Sequence, residues 1–557
     1  MDHGATRGTM RRVTLRAMIW LCGLAALLPW AAQPGHAAER SAAGPLVSVG
    51  WLKENLARAD LVLVDASPAS VHRQRHIPGA VLSTLFTFGS GEVPGEEIQR
   101  HLRTWGVSSG RHLVLYDPGG TYMATRLYWD LVHHGLPADG VSILDGGLSK
   151  WLAEGGAVTS AATPTPAPGT VRLGPPNPDV RVRLPEFLVA SGDPRRNVLL
   201  EALQPSYYYG GAAFFDRGGH VPHATLMPSE DFFNADKTFK RPQEIQQMLD
   251  HLGIRREQQV LTYCGGGGAA AVPFFALKAL LGYPQVRLFQ ESQKGWLQDP
   301  RELPVWTFAQ PHLLRDSAWL KAWASPMLKA FGLSTVSVLD VRSAEAFALG
   351  HVPLAVNLPV QTLAGQRRHP AALAELLGQA SVERTHEVVV VSERGLDEPA
   401  ALAWLLLERL GQPKVSIFVD SLERWAEFGH EVVRPAAGKP PVTESKPYAA
   451  APRDGVLVDD PARSAGSFPK VFIASGTKLP ARLPEGRVLH LPYGQFLRAD
   501  GTLKAAKDIW PLLEKAGVPR YAELVVFGET LGEAAVNVVV LRLMGFTDVK
   551  VWDGDRS

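Results

Sequence analysis

Val260-Leu261-Thr262-Tyr263-Cys264-Gly265-Gly266-Gly267-Gly268-Ala269 is the stretch on which the fold of this chain turns. An apolar, β-prone run ends at a cysteine, four glycines follow, and an alanine-rich helical pattern continues to Gly282. Strand, tight turn and helix in that order belong to a parallel α/β sheet, whose ligand sites lie at the carboxyl ends of strands. Consecutive glycines let the backbone curl until several N–H groups point inward, making an anion-binding concavity at a helix N-terminus. A cysteine at the mouth of such a nest is expected to have a stabilised thiolate, the form that attacks sulfur electrophiles. A lone cysteine is more often a small buried hydrophobe, but packing alone does not require four glycines after it.

Working outward, the chain repeats itself. A His-Xaa-Pro turn occurs as Arg75-His76-Ile77-Pro78-Gly79-Ala80, Gly219-His220-Val221-Pro222-His223-Ala224 and Gly350-His351-Val352-Pro353-Leu354-Ala355. Downstream of each comes a tryptophan, Trp151, Trp296 and Trp425, at separations of 75, 76 and 74 residues. Between the two markers an apolar strand ends at one variable position: Asp117, Cys264 or Ser392. A fourth, divergent unit lacks the turn but shows Val456-Leu457-Val458-Asp459, Leu524-Val525-Val526-Phe527-Gly528 and Val549-Lys550-Val551-Trp552. Repetition at this period marks a chain of similar domains, expected at 45–158, 179–308, 313–434 and 453–557. Pro- and Ala-rich connectors at 159–178 and 434–452 agree with those boundaries. Near-continuous apolar strands alternating with helical patterns predict, in every unit, a parallel β-sheet covered by helices on both faces.

Residues 1–38 are expected to be a signal peptide. Arg11 and Arg12 precede 14 apolar residues from Ala17 to Trp30, and Pro34-Gly35-His36-Ala37-Ala38 supplies small residues for cleavage. That run is shorter than the ~20 residues of a membrane span. Sec and twin-arginine export stay equally open, so the expected location is periplasmic or secreted, with no stable membrane insertion after signal removal. Cys22 leaves with the signal, so Cys264 is the one cysteine of the mature chain, a leftover thiol that reads as reactive. Removing residues 1–38 takes four arginines and one aspartate from 57 Lys+Arg and 55 Asp+Glu, leaving the signs balanced and giving no reason to expect a nucleic-acid partner.

The Gly-His-Xaa-Pro turn, the strand-end cysteine loop and the Gly-Xaa-Xaa-Xaa-Trp element resemble, in order and spacing, the rhodanese family of sulfurtransferases. The resemblance covers essentially the mature chain as four tandem rhodanese-like domains. It implies a sulfurtransferase in which Cys264 takes sulfane sulfur from a small anionic donor such as thiosulfate, becomes a persulfide, and passes the sulfur to cyanide or a thiol. No cofactor and no metal is implied. The residues suit this chemistry in their own right. A thiol is the most nucleophilic side chain near neutral pH, and the amides of Gly265, Gly266, Gly267, Gly268 and Ala269 are placed to hold its charge. The loop departs from thiosulfate-type members in having only Gly and Ala and no cation, which leans toward mercaptopyruvate-type loops. Glu201-Ala202-Leu203 also stands where the family commonly has Asp-Xaa-Arg. Donor charge must then be met elsewhere, with Arg217, His220, His223, Lys240 and Arg241 as candidates.

Two rivals differ in kind. A cysteine phosphatase needs an arginine six residues after the cysteine, and that position is Ala270. An exported, non-catalytic sulfur carrier or binding scaffold remains a reading alongside the enzyme. Asp117, Ser392 and Gly528 do not offer a nucleophile with an adjacent base, so the other units are expected to pack or to shape the cleft. The histidines and tryptophans recur with and without cysteine, which reads as turn and core rather than catalysis.

Overall fold

The computed structural model describes residues 43–85, 93–434, 445–463 and 466–554; the expected signal segment, 1–38, lies outside the described residues. The first sheet comprises β1 (Leu46–Val47), β2 (Leu61–Asp65), β3 (Val81–Leu82), β4 (His112–Tyr116) and β5 (Val141–Leu144). The second comprises β6 (Arg181–Val182), β7 (Asn197–Glu201), β8 (Thr225–Leu226), β9 (Gln259–Tyr263) and β10 (Val286–Phe289). The third comprises β11 (Leu314–Arg315), β12 (Val336–Asp340), β13 (Ala355–Asn357), β14 (Glu387–Val391) and β15 (Val415–Phe418). The fourth comprises β16 (Leu457–Val458), β17 (Lys470–Ala474), β18 (Arg487–His490), β19 (Glu523–Phe527) and β20 (Val549–Trp552). Within each sheet the spatial order is first, fifth, fourth, second, third strand, with parallel pairing throughout. The divergent fourth unit therefore has the same topology as the others.

The middle strands β4, β9, β14 and β19 are apolar without alternation because both faces are covered, and their central residues are almost fully buried. Two large cores result. One joins the first two sheets, and it contains Cys264. The other runs through the second, third and fourth units. The pairs assemble alike: the helix after the first nest, Met123–His133, packs on Ala271–Phe275, and Glu398–Arg409 packs on Leu531–Leu543. In the first of these contacts Tyr128 meets Phe275 edge to face at 4.9 Å.

The repeated markers close each unit. His76, His220 and His351 form antiparallel bridges with Thr159, Trp306 and Val433, tying the turn to the end of its own unit. Each ring also stacks on a neighbour, His72, Tyr208 and Phe347, at 3.9, 3.5 and 3.9 Å. The indole N–H of Trp151, Trp296 and Trp425 donates to the carbonyls of Ala157, Pro304 and Glu431, holding the same closing segment. Trp296 is 1% exposed. Trp552 occupies a half-exposed position and donates instead to Asp459. Trp296→Ala should cost ~3–5 kcal/mol, as large-to-small core changes do, and Trp552→Ala distinctly less. Hydrogen exchange of β9 and β10, against β19 and β20, reads the two losses separately.

Candidate active site

Cys264 follows β9, the second of the apolar middle strands, and its side chain is buried at 2% exposure. The Sγ faces the backbone amides of Ala270 and Gly266 and the hydroxyl of Ser292. Ser292 Oγ lies 3.9 Å from the sulfur, accepts from the Cys264 amide at 3.1 Å and donates to the Phe289 carbonyl at 2.8 Å. Two further bonds fasten the loop to the following turn, Gln293 N to Cys264 O and Lys294 N to Gly265 O. Gly267 has φ +80, and a Cβ there would lie 2.6 Å from the Gln290 carbonyl. Only glycine fits both demands.

The first unit completes the loop from outside. Arg126, on the helix Met123–His133, donates from Nη1 to the Gly267 carbonyl at 2.9 Å. Its Nε is paired with Asp130 at 3.0 Å, and the group is buried. Tyr122, just ahead of that helix, lies near enough to Cys264 for their charges to interact.

Burial pushes the Cys264 thiol above its ordinary value, and the charge of Glu201 adds to the rise. The two amides and Ser292 pull the other way. The expected depression of the thiol is thus overturned in this closed site: removing water from the sulfur outweighs two amide donors. Glu201, at the end of β7, is fully buried and raised to about 8, first by burial. Gln293 Nε2 donates to Glu201 Oε2 at 3.1 Å, and the Leu203 amide donates to Oε1 at 3.3 Å. Tyr263 OH also bonds the carboxyl group. The corresponding acids meet cationic-type partners instead: Asp65 meets His72 at 2.7 Å, and Asp340 meets Arg342 at 2.6 Å.

Of the expected loop amides, that of Gly266 faces the sulfur; Ala270, one residue beyond the expected run, supplies the other. The donor-binding candidates are placed as follows. Arg217 donates to the Leu303 and Leu297 carbonyls at 2.9 and 3.3 Å. His220 is buried on Tyr208, with Nδ1 2.8 Å from the Tyr208 carbonyl, and burial lowers it to about 3. His223 is exposed, has φ +65 and meets Trp306 edge on at 4.5 Å. Lys240 donates to the Phe233 carbonyl at 2.6 Å, and Arg241 pairs with Glu244 at 3.1 Å in a helix cap. Sequence reasoning did not pick out Ser292, Glu201 or Arg126 as site residues. Of the three, Glu201 alone left a signal there, as the strand-end acid without its usual arginine. Among the described residues, no group of three or more His, Cys, Asp or Glu is placed to hold a metal ion.

The same strand-end turn in the other units is occupied by a carboxylate. Asp117 accepts from the Gly119 and Ala124 amides at 2.8 and 3.1 Å and from Thr121 Oγ1 at 2.6 Å. In the third unit Asp397 accepts from the Arg394 and Ala400 amides at 3.3 and 3.0 Å and from Ser392 Oγ at 2.9 Å. In the fourth, Glu533 Oε2 accepts from the Glu529 amide at 2.7 Å.

The family model described as the rhodanese-like domain matches residues 48–154, 196–299 and 322–428. The chain is 30% identical over 282 residues to a protein of Pseudomonas aeruginosa named "Probable 3-mercaptopyruvate sulfurtransferase", covering 47% of this chain and 98% of that one. It is 26% identical over 267 residues to the sulfur carrier protein TtuD of Thermus thermophilus, covering 45% and 93%. The crystal structure of SseA from Escherichia coli superposes with a TM-score of 0.40 at 25% identity, over 45% of this chain and 99% of that one.

Glu201 gives the site a pH signature. Its value of about 8 in the fold lies above the ordinary carboxyl value of about 4.3. The folded chain then holds one more proton than the unfolded chain between those values. Stability from this group is full at the acid end and is lost as pH rises toward 8. Melting temperatures of wild type should fall relative to Glu201→Gln between about pH 5 and pH 8. Parallel curves would mean that Glu201 is ionised inside the fold.

Proposed function

This chain belongs to the rhodanese family of sulfurtransferases, and we propose that it carries sulfane sulfur from a small organic donor to a thiol or cyanide acceptor as a persulfide on Cys264. One observation supports this above the others. Of the four strand-end turns, three are filled by the chain's own carboxylates, and in the second unit the group facing the amides is a sulfur. A nest that holds carboxylate in three units suits the thiolate and persulfide anions in the remaining one.

The reaction needs two displacements. Cys264 thiolate attacks the donor's outer sulfur; the Sγ–S bond forms as the donor's bond to that sulfur breaks, and the electron pair leaves with the remainder of the donor. An acceptor thiolate or cyanide then attacks the outer sulfur, and the pair returns to Cys264. The amides of Gly266 and Ala270 hold negative charge on the sulfur before and after each step. Arg126 keeps the Gly267 carbonyl turned outward, so that the loop presents N–H groups rather than oxygens to the site.

The loop's lack of cations supports an organic donor. Thiosulfate, expected first, is a compact dianion that needs countercharge, and Gly265–Ala271 holds none. An organic donor such as 3-mercaptopyruvate, the compound in the Pseudomonas aeruginosa relative's name, suits the site better. The carrier reading keeps one support, the likeness to TtuD, and predicts stoichiometric loading without turnover. The arginines ahead of the apolar run to Trp30 support export before this chemistry takes place.

Intact mass after exposure to 3-mercaptopyruvate should show a gain of one sulfur in wild type, removed by cyanide, and none in Cys264→Ser. The same mass shows whether residues 1–38 have been removed. Loading without multiple turnovers would favour the carrier, and no loading from either mercaptopyruvate or thiosulfate would overturn the persulfide reading.

A further inference from the structure

The cysteine-bearing unit carries a segment that the other units with the histidine turn lack. From the residue ahead of the helix to the turn histidine, Pro68–His76 and Ser343–His351 each span eight positions, whereas Gln204–His220 spans sixteen. The extra length is bracketed by glycine pairs, Gly210-Gly211 and Gly218-Gly219, with φ +77 at Gly210 and +122 at Gly219. At its apex sits Phe214, an aromatic side chain left 40% exposed. The ring lies directly over the catalytic loop: a Cβ built on Gly265 would fall 2.9 Å from Phe214 Cδ2 and Cε2. Phe214 also stacks on Tyr207, with ring centroids 4.4 Å apart and an interplanar angle of 7°.

What this segment offers to an incoming molecule is aromatic. Its one cation, Arg217, is turned to the Leu297 and Leu303 carbonyls. Tyr122 approaches Cys264 from the first unit. Aromatic faces carry the negative end of a quadrupole, so they favour flat apolar groups and disfavour compact anions that must shed water. We propose that Phe214 is the specificity-determining residue of the site, selecting donors whose sulfur is carried on a flat organic body over compact inorganic anions. The inference rests on the persulfide reading above and narrows its donor class.

The fourth unit fixes the base of the segment. Tyr209, beside the first glycine pair, stacks on Trp510 at 5.3 Å, and its hydroxyl donates to the Met544 carbonyl. Lys507 lies 3.7 Å from where a Cβ on Gly211 would sit. A unit without a nucleophile thus acts on the reaction by holding the support of Phe214.

Benzenethiosulfonate and thiosulfate test this, because both deliver sulfur by breaking the same kind of S–SO2 bond. Cys264 thiolate attacks the terminal sulfur, the Sγ–S bond forms, and the pair leaves on benzenesulfinate or sulfite; cyanide then restores the thiolate. The readout is the kcat/KM ratio of the two donors, compared between variants so that intrinsic reactivity cancels. Phe214→Ala should lower the benzenethiosulfonate preference about tenfold, the scale of one lost apolar contact in a pocket. Phe214→Tyr should retain it, and Trp510→Ala should lower it by a smaller factor. An unchanged ratio in Phe214→Ala, with Cys264 still loading, overturns this inference alone. Failure of both donors and of 3-mercaptopyruvate to load wild type overturns the persulfide reading with it.

Discussion

Every unit of this protein ends its middle strand in a turn whose backbone N–H groups converge, and converging donors need a negative partner. That requirement explains more of the chain than the cysteine does. Asp117, Asp397 and Glu533 approach from different positions relative to their strands, yet all deliver a carboxylate to the same place. A buried amide without a partner costs ~1–3 kcal/mol, so a unit that lacks a reactive sulfur is stabilised by supplying its own acceptor. A carboxylate there also takes up the amides that an external anion would otherwise meet.

In the second unit the sulfur inherits the place of the carboxylate, and with it a conflict. Amides favour its charge, while burial in the core shared with the first unit opposes it. Here burial wins. Glu201 fits the same balance: with Gln293 and Tyr263 as partners, and no cation such as Arg342 supplies in the third unit, its carboxyl stays protonated up to about 8. The charge of an ionised Glu201 raises the thiol, so a missing arginine and a neutral acid are compatible parts of one arrangement.

How much of this could be read from the chain follows from distance along it. The strand, glycine turn and helix around Cys264 are local, and so are the His-Xaa-Pro turns, whose spacing to Trp151, Trp296 and Trp425 revealed the repeat. The fourth sheet was readable from apolar runs such as Leu524 to Phe527 even without its turn, because burial on both faces leaves the same pattern. The contact from Arg126 to the Gly267 carbonyl joins residues 141 apart, and no local pattern announces it. Ala270 carries no such signal, because the glycines end at Gly268 whereas the curl continues to the threshold of the helix. The direction of the Cys264 shift was missed for a related reason: a motif shows the donors around a sulfur but not the water taken from it.

Among the described residues one cysteine, Cys264, sits among four units, and its surroundings come from more than its own sheet. A lone rhodanese-like sheet exposes the turn at its strand ends, and a buried sulfur needs walls from elsewhere. The first unit provides one through Tyr122 and the Arg126 clamp. The fourth provides support behind the other, through Trp510 and the Met544 carbonyl at Tyr209 and through Arg520 and Tyr521 on Asp231. The third unit's helix Glu398–Arg409 packs on Leu531–Leu543 of the fourth, as the first unit's helix packs on the second. The pairing contact therefore places the first unit against the cysteine-bearing one, and the fourth, itself paired with the third, meets that unit through a different set of contacts.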